Sequence, residues 1–242
     1  MNWFKNWFDS PYYHLLYKHR DQIEANYFLD NLIQKLKPDP QSFFLDLGCG
    51  NGRHAKYLNK HGFKVDGVDL SKESLKKAIK HQNENLCFYH RDMREYIEKN
   101  KYDFIINLFT SFGYFENEQD NFKIFQNISQ SLKSHGYIII DFFNSKKIVK
   151  NLVAKETKII NDIVFNITKS HDNKFVYKEI VIHDRENKYT FTEKVRLFKK
   201  KDFIFLTKGL NLQLTETYGD YKLNYFNPIK SDRLILIFKK TT

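Results

Sequence analysis

Residues 43–143 alternate short apolar runs with stretches of helical periodicity, and no other feature limits the fold of this chain as much. Strands are expected at 43–47, 64–68, 86–89, 104–108 and 137–142, with helices at 53–61, 72–82, 94–99 and 118–133 between them. Strands joined in this way lie parallel through right-handed crossovers, which makes a doubly wound α/β sheet. Such sheets bind ligands beyond the carboxyl ends of their strands. Upstream, residues 1–37 read as an aromatic helical segment, with Asp9 or Ser10 to cap it, Pro11 in its first turn and Pro38 and Pro40 to end it. After about 145 the period becomes that of an antiparallel meander of three or four strands, at 159–170, 174–184 and 189–199. A helix at 202–208 and strands at 212–218 and 233–239 then return to the main sheet. The expected organisation is a lid over 1–37, a core over 38–150 and 201–242, and an antiparallel β insertion over 151–200 that covers substrate or makes a subunit contact.

The segment Leu45-Asp-Leu-Gly-Cys-Gly-Asn-Gly-Arg53 falls at the first strand-to-helix turn. Glycines at alternate positions let the backbone turn sharply and approach a ligand closely. A dinucleotide fingerprint would carry its third glycine three residues after the second, where this chain has Arg53. Asp46 puts a carboxylate two residues before the first glycine, which disfavours a pyrophosphate and favours an ammonium or sulfonium. Asp69 ends the second strand, placed to take the hydroxyls of a ribose, and Asp92 ends the third, placed to meet an adenine amine. Singly, each acid is more often a cap or a solvated loop residue; three in register on one sheet edge point to a shared ligand.

This combination resembles the class I S-adenosylmethionine-dependent methyltransferases over residues 43–143. The resemblance implies a Rossmann-like, seven-stranded, mostly parallel sheet with an antiparallel last strand, and S-adenosyl-L-methionine as cofactor. Carried onto this chain, it implies that Asp46, Gly48, Cys49 and Gly50 receive the methionine part, Asp69 and Leu70 the ribose, and Asp92 and Met93 the adenine, with Asn107 completing the set. Small-molecule methyltransferases of this kind, including glycine and amino-sugar N-methyltransferases, use an N-terminal lid. That assigns Arg20 to the cofactor's carboxylate and offers Tyr13, Tyr17 and, from the loop after the fourth strand, Tyr114 as catalytic groups. Asn107 is followed by Leu-Phe, without the prolines of base-amino methyltransferases, and no Pro-Cys supplies a nucleophile for pyrimidines.

The expected reaction is in-line transfer of a methyl group to a nitrogen or oxygen of a small molecule. The formal charge of +11 raises RNA as an alternative acceptor, but only 7 of the 40 basic residues are Arg, and the lysines are scattered. An RNA reading needs lysines of 146–158 and 194–201 to merge into one face beside the cavity mouth. A non-catalytic cofactor-binding module is the third reading. No metal site is expected: His14, His54, His90 and His183 read as surface or structural, and Asp141 and Asn144 as capping residues. Two cysteines exclude a disulfide scaffold, and no apolar stretch approaches the roughly 20 residues that span a bilayer. A cytoplasmic chain is expected, its oligomeric state open, with a dimer among the options.

Overall fold

The computed structural model describes residues 3–18, 22–95 and 98–241. The N-terminal segment divides into α1 (Trp3–Phe8), α2 (Pro11–Leu16) and α3 (Gln22–Leu36). Then follow β1 (Phe43–Leu47), α4 (Arg53–Lys60), β2 (Lys64–Asp69), α5 (Lys72–Ala78), β3 (Leu86–His90), β4 (Tyr102–Asn107), α6 (Glu118–Ser131), β5 (Leu132–Phe143) and α7 (Ser145–Lys150). An antiparallel run of β6 (Lys155–Ile160), β7 (Ile163–His171), β8 (Phe175–Asp184) and β9 (Asn187–Arg196) comes next. It leads to α8 (Lys200–Leu206), β10 (Leu212–Tyr218) and β11 (Arg233–Lys240).

The main sheet has seven strands in the order β10-β11-β5-β4-β1-β2-β3. Strands β1 to β5 are parallel, and β11 runs antiparallel to both β5 and β10. β1 is apolar but for Asp46 and is flanked by β2 and β4, as burial on both faces requires. The four antiparallel strands form a separate sheet in the order β6-β7-β8-β9. Alternate residues Phe165, Ile167, Ile180 and Ile182 bury one face of that sheet against Trp7 and Leu16. α3 instead packs Phe28, Leu29 and Leu32 onto the main-sheet core. The segment expected as one lid therefore splits: α1 and α2 join the antiparallel sheet, and α3 belongs to the core.

Three local expectations change. The helix expected at 94–99 is absent from the described residues, because Asp92 organises a turn there. Its Oδ1 accepts from Arg94 N at 3.0 Å and its carbonyl from Glu95 N at 2.8 Å. The strand expected at 159–170 is broken by Asn161 and Asp162, both left-handed at φ 51° and 63°, which is a two-residue hairpin turn made without glycine. α7 was not expected; Asn144 caps it by accepting from Lys146 N at 3.2 Å. Ser10, as expected, caps α2 by accepting from Tyr12 N at 3.2 Å.

Candidate active site

A cavity of about 440 Å³ opens at the carboxyl ends of β1 to β4, roofed by residues of α1 and α2. Its floor is the glycine loop. Gly48 N and Cys49 N both donate to Val68 O, at 2.8 and 3.0 Å, so the loop is pinned to the end of β2. Gly48 (φ 79°) leaves no space for a side chain, since an added Cβ would lie 2.9 Å from Ser111 Cβ. Gly50 (φ 55°) faces open space, so it is there for its left-handed backbone and for the bare surface it offers the cavity. Cys49 lines the cavity, but burial pushes its thiol well above the ordinary range, which suits a small wall residue and not a nucleophile.

Asp69 joins the two sides of the floor. Its Oδ2 accepts from Gly50 N at 2.7 Å and its Oδ1 from Ser71 N at 2.8 Å. Burial raises its pKa, and these backbone donors oppose the rise. Ser71 also reaches the roof, donating to Asp9 Oδ1 at 2.7 Å, so Asp9 ties the α1–α2 turn to α5 and leaves the cap of α2 to Ser10. Leu70 and Met93 give the cavity apolar walls beside Asp69 and Asp92.

Asp92 lines the cavity, held by the Arg94 guanidinium through Nε at 3.0 Å and Nη2 at 2.6 Å. Burial works upward on this carboxyl, but the Arg94 hydrogen bonds and charge outweigh it and hold its pKa below the usual range. Arg94 in turn pairs with Asp120 at 2.9 Å. The sequence reading missed Arg94; the signal available was an acid followed two residues later by an arginine.

Two expected site residues stand behind the floor and do not line the cavity. Asp46 is 1% exposed, accepts from Ala55 N at 3.2 Å, and lies 3.9 Å from His54 Nδ1. Burial, with help from the charge of Asp69, pushes its pKa up to about 7. Asn107 is buried under the loop, its Nδ2 donating to Leu47 O at 2.6 Å while its Oδ1 has no protein partner. Leucine and isoleucine flank these positions along the chain, so strand-end placement alone could not tell a cavity wall from its backing.

Tyr13, Tyr17 and Tyr114 all line the cavity. Tyr114 donates to Thr110 O at 2.5 Å, and its ring meets those of Trp3 and Phe8 edge-on. Tyr17 donates to Glu193 Oε1 at 2.6 Å, which ties the roof to β9. Arg20 lies outside the described residues. His14, read as surface or structural, lines the cavity too, and burial lowers its pKa. Behind the loop after β4, Asp141 pairs with Arg233 at 2.7 Å and accepts from Phe109 N at 2.8 Å. That network supports consecutive left-handed residues, Phe109 and Thr110; Asp141 is thus an ion-pair anchor and not a cap.

A carboxylate hydrogen-bonded to a bare glycine loop, with apolar walls leading to a second carboxylate, fits S-adenosylmethionine. The comparisons agree. Residues 44–136 match the family model described as a methyltransferase domain. The chain is 26% identical over 190 residues to the putative methyltransferase YqeM of Bacillus subtilis, covering 73% of this chain and 76% of that one. Its fold is shared with an S-adenosylmethionine-dependent methyltransferase from Clostridium acetobutylicum (TM-score 0.80, 21% identity, 96% of each chain). It is shared also with CalS10 of Micromonospora echinaspora, an amino pentose methyltransferase with S-adenosylmethionine bound (TM-score 0.71, 14% identity, 96% of this chain and 98% of that one). Sheet and cavity are those of the Rossmann-like methyltransferases. The chain is an S-adenosylmethionine-dependent methyltransferase with the class I fold, and S-adenosylmethionine is its cofactor. Among the described residues no helix is long and apolar enough to cross a membrane.

Proposed function

We propose that this methyltransferase acts on a nitrogen or oxygen of a small molecule. The observation that carries this reading is the roof: Phe4, Phe8, Tyr13 and Tyr17 stand over the strand ends that hold the glycine loop and Asp69. A roofed cavity suits an acceptor that enters it whole, and the fold shared with an amino pentose methyltransferase supports the same class. The RNA alternative is weakened because lysines it would need are paired locally: Lys147 with Asp232, Lys158 with Glu156 and Lys194 with Glu116.

In this reading the backbone of Gly48–Gly50 and Asp69 hold the methionine and ribose parts of the cofactor, and Leu70, Met93 and Asp92 its base. Asp46 and Asn107 support the loop from behind. The cofactor supplies an electrophilic methyl group; the protein holds the acceptor's lone pair roughly 3–3.5 Å away and in line with it. Tyr13, Tyr17 and Tyr114 wall that position and exclude water.

Transfer of labelled methyl groups into a metabolite extract, with total RNA in parallel, tests the proposal. Label in a small-molecule fraction is expected; label in RNA alone would overturn it.

A further inference from the structure

The antiparallel sheet, which supplies no residue to the expected site, sends two opposite charges to the hydroxyl of one residue that lines the cavity. Tyr17 closes the last turn of α2 and lines the cavity. Its hydroxyl donates to Glu193 Oε1 at 2.6 Å and accepts from Lys178 Nζ. Lys178 on β8 and Glu193 on β9 are register partners, with Nζ 3.4 Å from Oε2. The Lys178 ammonium also lies 4.8 Å from the centroid of the Tyr17 ring. Trp7 Nε1 holds the same carboxylate, at 2.7 Å from Oε1. Both charged side chains are largely buried, at 21% and 17% exposure.

A latch between roof and sheet would need only one of these contacts. An ammonium and a carboxylate converging on one phenol do something else: the ammonium stabilises negative charge on the oxygen, and the carboxylate offers its proton a place to go. Resting on the methyl-transfer reading above, we propose that Tyr17 is the proton acceptor of the reaction and that Lys178 and Glu193 are its positioning residues. The acceptor's lone pair bonds to the methyl carbon as the carbon–sulfur bond breaks, its electron pair staying on sulfur. The surplus proton on the acceptor nitrogen or oxygen passes to the Tyr17 oxygen while Tyr17's own proton passes to Glu193 Oε1. From there it leaves to solvent through the exposed part of that side chain. Lys178 offsets the negative charge that develops on the phenol oxygen during the exchange.

The test places 3-fluorotyrosine at position 17 of the full chain and follows its fluorine resonance against pH. Of the titratable residues of α2 (Tyr12, Tyr13 and His14), Tyr13 has its ring packed on that of Tyr17, at a centroid distance of 5.0 Å. The titration is therefore followed in a Tyr13→Phe background, and the His14 step is read separately at lower pH. Lys178→Met should raise the midpoint by about one pH unit or more and Glu193→Gln should lower it, since each removes one charge at hydrogen-bond distance. Gln keeps an oxygen for Trp7 and Tyr17, so the roof stays in place. A midpoint that neither variant moves overturns the inference. In labelled-methyl transfer, Tyr17→Phe and Glu193→Gln should each slow the saturated rate about a hundredfold, with S-adenosylmethionine affinity held within about threefold. The double variant should be no slower than Tyr17→Phe, because the two act together; multiplied losses overturn it. A native chain that bound no S-adenosylmethionine would sink both proposals. One that bound it and transferred methyl groups, with the position-17 titration indifferent to both charges, would sink this one alone.

Discussion

The floor and the roof of the cavity are built over different distances along the chain. On the floor, Asp69 reaches Gly50 across 19 residues, and Asp92 takes its arginine from two residues away. In the roof, Trp7 and Tyr17 meet Glu193 across 186 and 176 residues, and Tyr12 meets Asp184 across 172. The floor uses backbone amides and short carboxylates fixed at strand ends, so it is rigid wherever the sheet is. The roof uses aromatic packing on a second sheet, and it depends on two distant parts of the chain docking. In the proposed reading the first holds the cofactor and the second walls the acceptor. This division predicts that damage to either half leaves the other recognisable.

The largest effect should come from Asp141→Ala, behind the floor. It strands the Arg233 guanidinium in a buried site and is expected to cost about 3–5 kcal/mol in urea unfolding; a loss below about 1 kcal/mol would show that water reaches that pair. Asp46 comes next, through pH. Its folded pKa of about 7 lies above the ordinary carboxylate value, so the fold holds a proton that the unfolded chain releases. The stability this group contributes is full below about pH 4 and falls as pH rises to about 7, by roughly 1.4 kcal/mol for each pH unit crossed. Asp46→Asn should flatten that fall and leave the variant more stable than the native chain at about pH 8; parallel pH profiles would refute the assignment.

Trp7→Ala should cost the roof about 3 kcal/mol. Amide exchange should accelerate in α1, α2 and β7–β9 while β1, β2 and β4 keep their protection; uniform acceleration would mean that floor and roof unfold as one. Smallest in energy, Asp69→Ala should cost about 2–3 kcal/mol of S-adenosylmethionine affinity in calorimetry, the worth of hydrogen bonds to a charged group. Roof exchange should not change. Unaltered affinity would remove Asp69 from the ribose.

Most of the floor was legible in the sequence. The run Leu45-Asp-Leu-Gly-Cys-Gly carries its own instructions, because a strand end followed by alternating glycines can do little but turn tightly, and Asp69 ends a strand that must lie beside it. Less legible was which strand-end groups face inward. Asp46 and Asn107 end up behind the loop because the turn at Gly48, packed against Ser111, carries the backbone over them. The helix expected at 94–99 gave way to the Asp92 turn, where a side chain competes with the backbone's own hydrogen bonding. The roof was legible only as an aromatic helix and a meander, without the pairing between them.

Periodicity and turn chemistry act over a few residues, so this chain's sequence by itself determined the doubly wound sheet, the glycine loop and the acids that end its strands. Which charges meet Tyr17, which acid is neutralised by Arg94, and which arginine holds Asp141 were decided only when distant segments packed. A contact between residues far apart in the chain leaves no periodic trace in either of them, and its energy exists only once both are buried together.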